Sequence, residues 1–287
     1  MNEKISDKYA KIYKGCNILK VKSKKKTKVV AFDLDETLGS FMDLEILWKL
    51  VHQFKPTNNI DFNNLLDLYP EFIRYGIISI LEYLKQKKIT GECSKLYIYT
   101  NNQCSVEWTN RIAKYFDYKL GMTNPLFDQI INAFKINDIK VELLRTTHDK
   151  THDDFITCTI LPNTTEICFV DNSYFNSMEN DCIYYIQPRS YYHNLSVKDI
   201  VDRFIHSNIG KTISDENKIV FFTNIHDYFH RNIYYKYSHN YQKKIETDIY
   251  VAQKIMYHIK EFFFLSKRKK NTKKNRFYYG KLTRKLR

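Results

Sequence analysis

Two aspartates stand one residue apart directly after a short apolar run. Residues 29–37 read VVAFDLDET, which places Asp33 and Asp35 at the end of the run and Thr37 just beyond them. Two carboxylates this close repel each other, so they favour a bound cation or a raised pKa for one of them. Such a pair can supply a nucleophile and a proton donor. The alternative is a structural turn or helix cap at Asp35 or Thr37.

Polar residues also end two later apolar runs. Thr100 and Asn101 follow the run KLYIY, and Asp171 and Asn172 follow the run EICFV. Continuously apolar runs rich in β-branched and aromatic residues are typical of strands that are buried on both faces. Because ligands bind at the carboxyl ends of strands in open α/β sheets, we expect the three polar clusters to converge on one crevice.

The order of these runs predicts an α/β fold with a doubly wound parallel sheet. Strands are predicted at residues 28–33, 95–100, 166–171 and 182–187. Apolar residues at helical spacing predict helices near residues 41–54, 77–84, 106–116 and 139–143. Strands that alternate with helices indicate parallel strands whose two faces are both covered.

The positive charge is concentrated at the two ends of the chain. The 287 residues have a formal net charge of +14, of which residues 1–28 carry +8 and residues 266–287 carry +11, so the remainder carries −5. A block of like charge such as 266–287 is expected to be disordered. It could bind nucleic acid or an acidic partner, or serve only to keep the chain soluble.

Composition and spacing divide the chain into four expected segments. These are a basic N-terminal segment (1–27), an α/β domain (28–206), a helical extension packed against the sheet (207–265) and a basic, disordered tail (266–287). The sequence lacks both a run of about 18 apolar residues and a secretory signal, and its six cysteines form no CxxC pair. We therefore expect a soluble, intracellular protein of the cytoplasm, nucleus or virion, with reduced thiols and no membrane partner.

Taken together, the motifs resemble the haloacid dehalogenase superfamily of phosphotransferases. VVAFDLDET matches the pattern hhhhDxDxT that follows the first strand in that superfamily. The form DLDETL, with the later FVDNS, is most similar to the phosphatases that act on the C-terminal domain of RNA polymerase II. The resemblance covers about residues 28–190, with four motifs in the same order. Similar compact proteins with a helical extension and a basic tail occur among large DNA viruses.

The resemblance implies a Mg²⁺-dependent phosphatase with an aspartyl-phosphate intermediate. Asp33 would be the nucleophile, and Asp35 would act first as the acid and then as the base. Mg²⁺ would bind the carboxylate of Asp33, the backbone carbonyl of Asp35 and a group from either Asp171 or Asn172. Without the cation, a carboxylate that attacks an anionic phosphate would meet strong repulsion.

The resemblance also implies which groups hold the phosphoryl oxygens. Thr37, with the turn amides after Asp33, would donate hydrogen bonds to them, and so would the hydroxyl of Thr100 and the backbone N–H of Asn101. Arg74, in the sequence RYG, stands where relatives have Arg-Pro-Gly, and we expect it to be structural.

A lysine or arginine is needed to neutralise charge on the transferred group. Lys150 is the candidate, because it lies just ahead of the segment that leads into the third predicted strand. Lys135 and Lys140, in an expected lysine-rich helix, are the alternatives. His148 and His152 are expected at the surface and not as a metal pair.

The spacing between the motifs limits the size of any cap over the site. A cap with its own core needs roughly 50 or more residues, whereas 36 residues separate Thr37 from Arg74 and 47 separate Asn102 from Lys150. An open site favours a macromolecular substrate, either a phosphoprotein or a nucleic-acid end. Gly39-Ser40 replaces the hydrophobic residue and His of the polymerase-tail phosphatases, which argues against that specificity. The alternative is a non-enzymatic nucleic-acid-binding or scaffold protein that works through its tails.

Overall fold

A seven-stranded sheet forms the centre of the molecule in a computed structural model of the chain, which describes residues 3–19, 27–53, 61–212, 215–231 and 241–282. The strand order is β1-β2-β9-β8-β3-β4-β5, and β6 and β7 form a separate hairpin. The strands are β1 (Glu3–Ser6), β2 (Ala10–Lys14), β3 (Lys28–Phe32), β4 (Lys95–Tyr99), β5 (Gln129–Ile131), β6 (Lys135–Ile136), β7 (Ile139–Lys140), β8 (Glu166–Val170) and β9 (Ile183–Pro188).

Helices cover both faces of this sheet. They are α1 (Cys16–Leu19), α2 (Met42–Gln53), α3 (Phe62–Asp67), α4 (Ile77–Ile89), α5 (Val106–Lys119), α6 (His152–Thr159), α7 (Val197–His206), α8 (Asp215–Arg231) and α9 (Tyr241–Leu282). Within the described residues, none of these helices is both long and apolar enough to cross a membrane.

The order of the parallel strands locates a crevice between β3 and β8. Strands β9, β8, β3, β4 and β5 run parallel, and β2 and β1 extend the β9 edge in antiparallel pairing. The chain moves outward in one direction from β3 through β4 to β5, and then in the other direction from β8 to β9. In such sheets, ligands bind at the point where the order reverses. The prediction of a mostly parallel α/β sheet is confirmed, and the four predicted strands correspond to β3, β4, β8 and β9.

Alternate strand residues enter two separate apolar cores. Val30 and Phe32 of β3 pack in the larger core with α2, α4, α5 and α9, whereas Val29 and Ala31 pack in the smaller core with Phe155 of α6. A strand that is covered on both faces needs apolar residues at every position. This requirement explains why the strands appear in the sequence as continuous runs.

The N-terminal segment contributes two strands that the sequence analysis missed. Residues 3–14 form the β1–β2 hairpin, and β2 pairs with β9. In β2, Lys11 is exposed while Ile12 is buried. Lys14, at the other end of the strand, is buried. Because β2 belongs to the sheet, the boundary expected at residues 27 and 28 does not separate the sheet from what precedes it.

The helix expected near residues 139–143 is wrong. This segment contains the β6–β7 hairpin, whose turn residues Asn137 and Asp138 have φ angles of 48° and 63°. Two-residue hairpin turns require positive φ, which Asn and Asp tolerate better than most residues. Lys135 and Lys140 consequently lie on a hairpin and not on a helix.

The C-terminal extension is helical, as expected from the spacing of Ile245, Ile249 and Ala252. Helix α9 contacts β2 and β9, so this described part of the extension lies against the sheet. Helix α9 also continues to Leu282, into the segment for which a disordered tail is predicted. Lys and Arg are good helix formers, and a helix that is already nucleated extends easily. Residues 283–287 lie outside the described residues.

A polar network fastens α9 to the edge of the sheet. Glu261 of α9 accepts hydrogen bonds from Lys14 of β2, at 3.0 Å, and from the hydroxyl of Tyr184 of β9, at 2.5 Å. The Tyr184 oxygen also lies 2.8 Å from Nδ1 of His258. Lys28 of β3 donates to the carbonyl of Phe262, the residue that follows Glu261 in α9, at 2.6 Å. Three strands, β2, β9 and β3, are thus tied to α9.

This network leads to a stability prediction for Glu261→Ala. The substitution leaves Lys14 and Tyr184 without their shared acceptor, so we expect the free energy of unfolding to fall by about 1–3 kcal/mol. Urea denaturation followed by circular dichroism would measure the change. The exposed Glu246 on the same helix provides the control, since Glu246→Ala should change stability by less than about 0.5 kcal/mol. Equal effects of the two substitutions would contradict the prediction.

Candidate functional site

Asp33 and Asp171 lie side by side at the carboxyl ends of β3 and β8. The backbone N–H of Asp33 donates to the carbonyl of Val170 at 2.9 Å, which continues the pairing of the two strands beyond their ends. Both aspartates are buried. The sheet therefore forces two carboxylates together at the point where its strand order reverses.

The ammonium group of Lys150 lies between these two carboxylates. Its Nζ donates to Oδ1 of Asp33 at 2.5 Å and to Oδ2 of Asp171 at 2.6 Å, so the two oxygens are at most about 5 Å apart. Lys150 is only 2% exposed. A buried cation with two buried anionic partners offsets most of the cost of removing the charges from water. Of the three candidate lysines, Lys150 is the one that the structure brings to the aspartates.

The charges of this cluster shift several pKa values. Burial works against the charged form of Lys150, but the attraction of Asp171 and Asp33 outweighs it and raises the pKa of the lysine. Burial raises the pKa of Asp171 to about 7 against the opposing pull of Lys150. Burial likewise raises the pKa of Asp35 to about 7, and the nearby charge of Asp33 adds to the rise.

Asp35 is held by the strand end of β4. The side-chain amide of Asn102 donates to Oδ2 of Asp35 at 2.6 Å, and the backbone N–H of Asn102 donates to the hydroxyl oxygen of Thr100 at 3.0 Å. The side-chain oxygen Oδ1 of Asn102 in turn accepts from the backbone N–H of Cys104 at 2.8 Å. Asn102 thus connects the expected acid with the expected phosphate-binding threonine, a role that the sequence analysis did not assign.

The loop after Asp33 is tied to the end of β8 by Thr37. Its hydroxyl donates to Oδ1 of Asn172 at 2.8 Å and accepts from the backbone N–H of Asn172 at 3.0 Å. The amide group of Asn172 donates to Glu36 and Ser190, at 3.0 and 3.1 Å. The two oxygens of Asp171 also accept hydrogen bonds, from the backbone N–H of Ser173 and from Lys150, so Asp171 and Asn172 both stay metal-ligand candidates.

Arg74 also holds the loop after Asp33 in place. Its guanidinium donates to the carbonyl oxygens of Thr37, at 2.5 Å, of Glu36, and of Arg189, at 2.9 Å. Burial lowers the pKa of Arg74 to about 10, which leaves it charged at neutral pH. These contacts are to backbone atoms only, in agreement with the structural role expected for Arg74.

Gly39 occupies a position in this loop where a side chain has no room. The loop passes so close to Phe72 that a Cβ atom at Gly39 would lie 2.5 Å from the carbonyl oxygen of Phe72. The neighbouring N–H of Ser40 donates to that same carbonyl at 2.7 Å. The Gly39-Ser40 sequence is thus explained by close packing of the loop.

The remaining candidates occupy different surroundings. Asn101 follows Thr100, and its side-chain oxygen is buried without a hydrogen-bond partner among the described residues. Lys135 and Lys140 flank the ring of Phe134 on the hairpin, at 5.6 and 5.1 Å.

The expectation of a surface position is wrong for one of the two histidines. His148 is exposed, but His152 at the start of α6 is buried. Its Nδ1 lies 3.4 Å from both Asp153 and Asn180. Because α6 packs on the smaller core, His152 in its first turn is covered, whereas the next residue, Asp153, is exposed.

The oxygen donors at the crevice suit a small divalent cation in part. The carboxylate of Asp33, a side-chain oxygen of Asp171 or Asn172, and the backbone carbonyl of Asp35 are the groups that would hold Mg²⁺. Within the described residues, no three His, Cys, Asp or Glu side chains converge to form a metal site on their own. Water and backbone oxygens would have to complete the coordination, as is usual for Mg²⁺.

Comparisons with protein-family models, with curated proteins and with solved structures found no match to this chain. The argument for function therefore depends on the site itself.

The raised pKa values predict how stability depends on pH. Asp35 and Asp171 have folded pKa values of about 7, above the ordinary value of 3.8. The folded protein therefore binds more protons than the unfolded chain between these values. The stability that they contribute is complete below the unfolded pKa and is lost as the pH rises through the folded pKa.

We accordingly expect the free energy of unfolding, measured by urea denaturation in EDTA, to fall by on the order of a few kcal/mol between about pH 5 and pH 8. Asp35→Asn removes one titrating group and should flatten the profile. Asp202→Asn, at an exposed carboxylate, should leave the profile unchanged. A stability that rises over this range in the unsubstituted protein would refute the assignment.

Proposed function

We propose that this protein is a Mg²⁺-dependent phosphatase of the haloacid dehalogenase type, which hydrolyses phosphomonoesters through an aspartyl-phosphate. The observation that carries the proposal is the buried Lys150 that joins Asp33 to Asp171 at the reversal point of the sheet. An ion pair that only stabilised the fold would not require a third carboxylate nearby. It would also not require a position at the carboxyl ends of the strands, where ligands bind.

In the proposed first step, Oδ2 of Asp33 attacks phosphorus while Lys150 holds Oδ1. The bond from phosphorus to the leaving oxygen breaks, and Asp35 gives its proton to that oxygen. A pKa of about 7 suits this step, because a substantial fraction of Asp35 is protonated at neutral pH. Asn102 occupies Oδ2 of Asp35, so Oδ1 is the oxygen left to carry the proton.

In the second step, Asp35 takes a proton from water, whose oxygen attacks phosphorus. The bond between phosphorus and Asp33 breaks, which releases inorganic phosphate and restores both carboxyl groups. The hydroxyl of Thr100, the backbone N–H of Asn101 and the ammonium group of Lys150 would bind the phosphoryl oxygens, whereas the hydroxyl of Thr37 donates to Asn172. Bound Mg²⁺, held by Asp33 and either Asp171 or Asn172, would supply positive charge that reduces the repulsion between carboxylate and phosphate.

The structure around the site supports a macromolecular substrate. Leu47 of α2 and Leu65 of α3 belong to the main core, so the segment between Thr37 and Arg74 builds no separate cap core from its described residues. The segment after Asn102 supplies α5, β5 and a two-stranded hairpin. A site without a cap is accessible to a phosphoprotein, whereas the charge of −5 on residues 29–265 disfavours a polyanion such as nucleic acid.

The mechanism predicts that Asp33→Asn abolishes hydrolysis of p-nitrophenyl phosphate. Loss of the nucleophile should lower kcat by about 10³-fold or more, and EDTA should inactivate the unsubstituted protein until Mg²⁺ is restored. Asp153→Asn, at an exposed carboxylate of α6, is the matched control and should retain activity. Full activity of Asp33→Asn would disprove the mechanism, and an inactive unsubstituted protein would favour a non-enzymatic binding role.

The open site predicts a preference among substrates. We expect kcat/KM for a phosphoserine peptide to exceed that for a sugar phosphate by at least about tenfold, since contacts remote from the phosphate add transition-state binding. Oligonucleotides with 3′- or 5′-phosphates should be poorer substrates than the peptide at physiological salt. Phosphate release would be measured for all substrates with the full chain. Faster turnover of an oligonucleotide would instead identify a nucleic-acid-end phosphatase, held by the basic tails.

A further inference from the structure

We infer that Arg145 is a positioning residue of the proposed phosphatase site, and that it fixes Thr100 and Lys150 at the spacing needed to bind one phosphoryl group. The inference depends on the proposed function. Arg145 lies outside every motif in the sequence, and its side chain is fully buried.

The guanidinium of Arg145 joins three segments that surround the site. One terminal nitrogen donates to the carbonyl oxygens of Thr100, at 3.1 Å, and of Asn132, at 2.8 Å. The other donates to the carbonyl oxygens of His148, at 3.0 Å, and of Asp149, at 3.1 Å. The ends of β4 and β5 and the loop that carries Lys150 are therefore connected through one side chain.

These contacts act directly on the residues that would hold phosphate. The Thr100 carbonyl belongs to the same peptide unit as the N–H of Asn101, and the Asp149 carbonyl belongs to the same peptide unit as the N–H of Lys150. Because a peptide unit is planar, holding these two carbonyls also fixes the orientation of the N–H of Asn101 and of the N–H of Lys150. The hydroxyl of Tyr99 supports the loop from the other side, since it accepts from the N–H of Thr151 at 3.1 Å.

Backbone carbonyls, and not a carboxylate, satisfy the guanidinium of Arg145. Among the described residues, no carboxylate lies within ion-pair distance of Arg145, and its Nε has no hydrogen-bond partner. The ring of Tyr99, with its centroid 4.9 Å away, covers one face of the guanidinium. A buried charge satisfied by carbonyl groups alone is expensive, and apolar side chains of similar volume usually stabilise a core as well or better.

Lysine cannot reproduce these contacts. The guanidinium is a rigid, planar group with five N–H donors, whereas an ammonium group is a single point with three donors on a flexible stem. Arg145→Lys therefore keeps the charge but releases at least one of the connected segments, and Arg145→Met removes both charge and donors.

Steady-state hydrolysis of p-nitrophenyl phosphate with Mg²⁺, and its competitive inhibition by inorganic phosphate, test this inference. We expect Arg145→Lys to lower kcat by about 10- to 100-fold, because small misplacements of catalytic groups have effects of this size. The inhibition constant for phosphate should rise by about tenfold or more in the same variant. This constant does not depend on the fraction of active protein, so partial misfolding would not change it.

Arg203→Lys is the matched control. Arg203 also donates to a carbonyl oxygen, that of Leu68 at 2.9 Å, but it lies on α7, with Glu71 as its ion-pair partner. Arg203→Lys should leave kcat and the inhibition constant for phosphate unchanged. If Arg145→Met does not fold, Arg145→Lys, verified by its thermal unfolding transition, provides the result.

An inhibition constant that stays at the unsubstituted value in Arg145→Lys would overturn the inference and leave the proposed function intact. Inactivity of the unsubstituted protein with Mg²⁺ would overturn both. Reduced kcat together with weakened phosphate inhibition, in a variant that unfolds cooperatively, supports the positioning role.

Discussion

The ion pairs of Lys150 with Asp33 and Asp171 determine how the rest of the site is built. Two carboxylates forced together by adjacent parallel strands would repel each other strongly at low dielectric, and a third lies close by at Asp35. One buried ammonium group makes this arrangement tolerable. Because a lysine side chain is flexible, its ammonium group stays between the carboxylates only if the loop that carries it is rigid. The site therefore needs neighbouring segments that hold the loop through its backbone.

Two buried arginines hold segments of the site through their backbone carbonyls. Arg74 holds the carbonyls of the loop after β3, and Arg145 holds those at the ends of β4 and β5 and in the lysine loop. Neither relies on a carboxylate, which leaves the acidic groups of the site available for chemistry. Preorganised catalysis requires that the backbone stay rigid around the groups that give and take protons.

The sequence was sufficient to predict four of the seven strands of the described sheet and the acidic cluster, because both depend on local pattern. Asp33 and Asp171 could be recognised since each directly ends an apolar run. Arg145 could not, because its partners are backbone carbonyls, which every residue possesses. The hairpin near residues 135–140 was mistaken for a helix because a few apolar positions fit both periods, while the turn at Asn137 and Asp138 decided the outcome.

The pairing of β2 with β9 imposes an order on folding. Residues 10–14 are synthesised more than 160 residues before their partners at 183–188, and Glu261, which binds Lys14, is made later still. During synthesis, the N-terminal hairpin must therefore wait beside an unfinished sheet, with Ile12 exposed. Lys11 and Lys14 place positive charge on this strand while it waits, and charge on an edge strand disfavours pairing with other chains. The same charges that obscure the strand in the sequence thus protect the chain before its edge is closed.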